Sequence, residues 1–167
     1  QDGYWYEKPK EEQHEYGIFF NDVDSEGYPA SVKIIAPTLQ NNFLRTNNGT
    51  TAYVLFDKAR LIEIIGDKIG SYAFAYAGMN TAVNPKIKLK TKDIGIVALG
   101  YWGQTNLKSS KVWISKDCET IYGVSSTAGP FYQHATGSTI YCEVTSKPSG
   151  WSEYWNYKNN STALSVT

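Results

Sequence analysis

From Tyr16 onward the chain alternates short apolar, β-branched runs with clusters of Gly, Pro, Asn, Asp and Ser, which predicts many short strands and few helices. The runs are YGIFF (16–20), ASVKIIA (30–36), TAYVLF (51–56), SYAFAYA (71–77), KIKLK (86–90), DIGIVALGYW (93–102), KVWIS (111–115), TIYGVS (120–125) and STIYCEVT (138–145). Three of them alternate with a period of two. SYAFAYA sets Tyr72, Phe74 and Tyr76 against Ala73, Ala75 and Ala77, and KIKLKTK sets Lys86, Lys88, Lys90 and Lys92 against Ile87, Leu89 and Thr91. In STIYCEVT, Ile140, Cys142 and Val144 share one face. The stretch FDKARLIEIIGDKIG (56–70) has apolar residues near helical spacing with Gly66 and Gly70 as stops, so one short helix near 57–66 competes with a strand there.

No repeat of 20–50 residues stands out, and the crossover helices of a parallel α/β sheet are missing. The expected fold is therefore all-β: an antiparallel β-sandwich, jelly roll or closed β-barrel of about nine strands. Residues 1–15, charged and without either period, read as an extended N-terminal arm or linker that docks at best through Tyr4, Trp5 and Tyr6. Residues 16–167 read as a single β domain.

Charge and leader signals narrow the setting. The net charge of the 167 residues is zero, although residues 1–26 hold eight acids and two lysines (−6) and the remainder eight acids and fourteen bases (+6). Neutrality removes the general attraction to phosphate backbones, so nucleic acid is not expected as a partner. No apolar run approaches the ~20 residues of a membrane span, so no membrane insertion is expected. The chain opens without Met or a basic-then-apolar leader, which reads as a mature or excised piece of a longer protein. The sequon Asn48-Gly49-Thr50 and the Asn159/Asn160 pair before Ser161 and Thr162 point to an extracellular, secreted or surface-exposed setting, a virion surface included. Cys118 and Cys142 allow one disulfide, which would stabilise by roughly 3.5 kcal/mol on a loop of about 25 residues.

No motif specifies an activity, and the chemical candidates are few. Asp22, Asp24 and Glu26 alternate before Gly27 like the opening of a calcium loop, but Lys33 stands where a closing carboxylate belongs. An acidic hairpin turn explains the same residues, so no cofactor is expected beyond this calcium candidate. His134 is the sole candidate base for nucleophilic catalysis in the folded part, and it lacks a nucleophile elbow. The lysine row 86–92 offers a linear basic stripe for an anionic polymer, against the alternative of a solvated or edge-strand gatekeeper row that discourages aggregation.

Aromatics, 14% of the chain, cluster most densely in SGWSEYWNYKNNST (149–162). On a strand, Trp151, Glu153, Trp155 and Tyr157 share one face, where flat rings stack on sugar CH faces and Glu153 and Asn156 reach hydroxyls. Trp102, just past an apolar strand, is a second candidate. The competing assignment is that these aromatics seal one end of the fold. As a glycosidase acid, Glu153 would need a second carboxylate, for which Glu143, Glu119 and Glu63 are equivalent choices. The expected function is thus a non-catalytic, lectin-like module that binds a glycan or host-surface ligand through exposed aromatics on loops or a sheet edge. The alternatives are an adhesion or assembly domain such as a virus capsid protrusion, with homo-oligomerisation, and then a small glycosidase or lyase.

Overall fold

The computed structural model describes residues 15–46, 54–160 and 162–167. The TAYVLF run, the Asn48 sequon and nearly all of the N-terminal arm lie wholly or partly outside the described residues. The chain winds as a β-solenoid of about five coils. Each coil places one strand in a long sheet: β2 (Ser31–Ile35), β4 (Leu61–Ile65), β6 (Lys86–Lys90), β8 (Lys111–Ile114) and β10 (Thr139–Cys142). Around a corner, four of the coils add a two-residue strand to a second sheet: β3 (Thr38–Leu39), β5 (Lys68–Ile69), β7 (Asp93–Ile94) and β9 (Thr120–Ile121). The order is β2-β4-β6-β8-β10 in the first sheet and β3-β5-β7-β9 in the second, with every one of these pairs parallel. At one end β1 (Gly17–Asn21) pairs antiparallel with β2, and at the other β11 (Ser165–Val166) pairs parallel with β10.

This architecture overturns the expected antiparallel sandwich, jelly roll or barrel, and with it the absence of a repeat. Ser31 pairs with Leu61, Leu61 with Lys86, Lys86 with Lys111 and Lys111 with Thr139, which are offsets of 30, 25, 25 and 28 residues. A coil of this length returns the chain to its starting side without a helix, so parallel pairing needs no crossover helix. The helix expected near 57–66 is displaced: α1 is a single turn, Val54–Asp57, and Leu61–Ile65 is strand β4.

The interior is a set of apolar ladders. Val32, Ile62, Ile87, Val112 and Ile140 stack in register, each at most 2% exposed, as do Ile34, Ile64, Leu89, Ile114 and Cys142 along the next inward row, of which Cys142 alone is half-buried. On the second sheet the ladder runs Leu39, Ile69, Ile94, Ile121 and then Trp151. Each of the first four coils thus buries the same three inward positions, and each buried Ile or Leu removes enough apolar surface to contribute about 1.5–3 kcal/mol. Stability accrues by stacking, coil on coil.

The third side is built from turns. SYAFAYA is not a strand: Tyr72 and Tyr76 adopt positive φ (58° and 63°), and Ala73, Ala75 and Ala77 donate to carbonyls three residues back. The alternate amides of Tyr72, Phe74 and Tyr76 donate to Ile96, Ala98 and Gly100 of the following coil. Most of DIGIVALGYW likewise turns beyond Ile94. Glycine is required at the corner into this side, because a Cβ on Gly70 would lie 2.5 Å from the Asn41 amide and one on Gly95 2.6 Å from that of Ser71. Outward on this side Tyr76 stacks on Tyr101 with centroids 4.0 Å apart.

Candidate basic and aromatic cleft

The long sheet presents its outward residues as rows that cross the strands. One row reads Ser31, Leu61, Lys86, Lys111 and Thr139, and the next Lys33, Glu63, Lys88, Trp113 and Tyr141. These side chains point out because the alternating positions of each strand fill the interior ladders. KIKLK shows the pattern fully, with Lys86, Lys88 and Lys90 exposed and Ile87 and Leu89 buried.

Strand β6 lies between β4 and β8, at the centre of the sheet. The edge-gatekeeper explanation for its lysines therefore does not apply. Lys92 leaves the row, following Thr91 into the corner, where its ammonium lies 3.6 Å from Asp67.

A cleft of about 860 Å³ opens over this face, lined by the cations Arg60, Lys86, Lys88 and Lys108 with Leu61, Val83, Asn84 and Trp113. No carboxylate among the described residues lines it. Among the described residues none of these four cations forms an ion pair; the salt bridges found there join Lys58 to Asp24 and Glu26, and Lys92 to Asp67. Trp113 forms one wall. Its ring stacks on that of Tyr141 in the next coil, centroids 4.5 Å apart and planes 12° from parallel. Because β8 lies between β6 and β10, Tyr141 covers one indole face and the other turns toward the lysines, with the Lys86 ammonium 5.8 Å from the ring centre. A second cleft of about 310 Å³ shares Lys88 and Trp113 but adds Lys90, Ser115 and two carboxylates, Glu63 and Glu143.

The residues singled out from sequence sit elsewhere. Trp151 and Trp155 are 2% and 8% exposed and pack on each other with centroids 4.8 Å apart, while the Trp151 indole donates to the Cys118 carbonyl at 3.0 Å. They seal the C-terminal end of the interior, and their rings offer no open face. Trp102 is fully buried and donates to the Phe74 carbonyl at 2.7 Å. Glu153 is exposed, Tyr157 packs edge-on against Tyr154, and Asn156 donates to the Leu164 carbonyl. The structure thus brings Trp151, Trp155 and their neighbours together as a cap, far in topology from the cleft on β6 and β8.

Three other candidates take structural places. His134 is 1% exposed and its ring nitrogens lie 3.0 Å from the Leu99 carbonyl and 3.0 Å from the Ser110 hydroxyl. The carbonyl accepts from Nδ1–H, so Nε2 accepts from the Ser110 hydroxyl. Ser110 is 2% exposed, so this histidine and serine tie coils together out of reach of a substrate. Burial lowers the His134 pKa to about 4. At the hairpin, the Tyr28 amide donating to Asp24 holds its carboxyl below the usual range, with help from Lys58, whose ammonium reaches Asp24 at 3.3 Å and Glu26 at 2.8 Å. Asp24 and Glu26 thus share a lysine, and among the described residues no three His, Cys, Asp or Glu side chains converge on a metal position. Cys118 and Cys142 are free thiols, and burial pushes Cys118 up to about 12.

A signal for the site was present in the sequence. IGSYAFAYAG (69–78) and IGIVALGYWG (94–103) lie twenty-five residues apart with Ile, Gly, Ala, Tyr and Gly at matching places. That offset aligns Lys86 with Lys111 and Lys88 with Trp113, which would have placed them side by side. No protein-family model, curated protein or solved structure matches the chain. Among the described residues no helix is long and apolar enough to cross a membrane.

Proposed function

We propose that the chain is a non-catalytic recognition module that binds a glycan on the outward face of its long sheet. The observation that carries this reading is the Trp113–Tyr141 stack, which leaves one indole face turned toward an open cleft with the Lys86 ammonium 5.8 Å over it. Sugar rings present CH faces to such an indole, and the surrounding amide, ammonium and carboxylate groups supply directional hydrogen bonds to hydroxyls. Two in-register rings hold each other upright, so the indole loses little freedom when a ligand arrives. The test is a glycan array with wild type and Trp113→Ala. Binding that disappears in the variant, with the thermal melt retained, supports the reading; undiminished array binding by the variant sinks it.

The alternative, an adhesion or assembly domain, draws on a different place. Among the described residues strand β1 is an edge strand, with Tyr16, Ile18, Phe19 and Phe20 38–67% exposed around it. Exposed apolar edges are templates for pairing with another chain. Sedimentation over a range of concentrations separates the readings: self-association that Phe20→Lys abolishes, together with a blank array, would favour assembly.

A further inference from the structure

We infer that the ligand is an anionic glycan in which an acidic sugar, carboxylated or sulfated, occupies the Arg60–Lys108 cleft and a neutral sugar occupies the adjoining one. This rests on the glycan reading above and names its substrate class. Lys86 and Lys111 pair in register on neighbouring parallel strands, about 4.8 Å apart at the backbone, and like charges so placed repel. Their row, Ser31, Leu61, Lys86, Lys111 and Thr139, contains no carboxylate to offset that repulsion. The adjacent row differs: Glu63 stands between Lys33 and Lys88. Arg60 and Lys108 add two more cations to the cleft beside Lys86, again without an ion pair among the described residues. Strands β6 and β8 are internal to the sheet, so Lys86 and Lys111 do not serve as edge gatekeepers. A bound anion would relieve the repulsion and accept charge-assisted hydrogen bonds from ammonium and guanidinium donors.

The second cleft decides between a glycan and a nucleic acid. Glu63 and Glu143 line it with Lys88 and Trp113. A phosphate backbone, charged at every nucleotide, would meet these carboxylates, whereas the hydroxyls of a neutral sugar donate to them. Tyr141 covers one indole face and the Lys86 ammonium stands 5.8 Å over the other, so a single ring can stack there beside that cation.

The experiment is calorimetric titration of the full chain at low and high salt with four probes: a uronate-containing oligosaccharide, a sulfated one, the carboxyl-reduced neutral counterpart, and a single-stranded oligonucleotide. The expected result is that one or both anionic oligosaccharides bind more tightly than the neutral one and more weakly at high salt. Lys86→Ala/Lys108→Ala should weaken anionic binding by about tenfold or more while leaving the neutral probe unchanged. The tighter of the two acidic probes identifies the anion. Equal binding of neutral and anionic oligosaccharides, unmoved by the double variant, overturns the anionic class and leaves the glycan reading standing. If no oligosaccharide binds, the glycan reading itself falls. Preferential binding of the oligonucleotide overturns the inference in favour of nucleic acid. A thermal melt of the double variant, expected to match or slightly exceed wild type because both lysines line the open cleft and Lys86 repels Lys111, guards against misfolding.

Discussion

Trp113 on β8 and Tyr141 on β10, twenty-eight residues apart in sequence, stack in register with ring centroids 4.5 Å apart. The pair joins the fourth coil to the fifth and also forms a wall of the cleft. A double-mutant cycle through Trp113→Ala and Tyr141→Ala should therefore give a coupling energy of about 0.5–1 kcal/mol in urea unfolding. Strict additivity would mean that the rings do not pack in solution.

Acid should weaken the fold through His134. Its folded-state pKa is lowered to about 4 because burial disfavours the imidazolium, whereas the unfolded chain has the ordinary value near 6.5. Above about pH 6.5 both states are neutral and stability is fully retained. As pH falls through the window from about 6.5 to about 4, the unfolded state takes up a proton that the folded state refuses, and stability drops by on the order of 3 kcal/mol. Below that window both states are protonated and the loss levels off. His134→Gln should therefore be less stable than wild type near neutrality and lose most of that deficit near the lower limit, as read from urea midpoints. A deficit independent of pH would contradict a buried neutral histidine.

Trp102 anchors the turn side to the sheets. It is fully buried, sits 5.1 Å from the Phe56 ring and fills the space into which a Cβ on Gly78 would project. Trp102→Ala should cost about 3–5 kcal/mol, lowering the melting temperature by on the order of 10 °C. Trp102→Phe keeps part of the packing but leaves the Phe74 carbonyl without its donor, so it should fall between the two. A melt unchanged by the alanine would show that this corner contributes little.

The alternation of KIKLK, KVWI and TIYC was legible because a strand's period of two depends on the strand alone. Burial of Ile87, Leu89, Val112 and Ile140 followed from the same alternation. What alternation does not carry is the partner. Parallel or antiparallel neighbours accept the same pattern, and the coil lengths of 30, 25, 25 and 28 residues blur a period whose inward rungs exchange Val, Ile, Leu and Cys freely. SYAFAYA misled for a related reason: its alternating residues satisfy a strand, but the corner at Gly70 and the positive φ of Tyr72 and Tyr76 turn it into a staircase of bends.

The sequence by itself determined that this chain is β-rich, which residues of its main strands face inward, and that its net charge is neutral. Only the tertiary structure decided which side chains meet. Stacking coils about 4.8 Å apart sets residues twenty-five to thirty positions apart beside one another, so Lys86, Lys111, Trp113 and Tyr141 converge on an open face while the aromatic-rich Trp151–Tyr157 stretch closes the end of the core. That convergence is a property of the winding, and no local stretch of the chain encodes it.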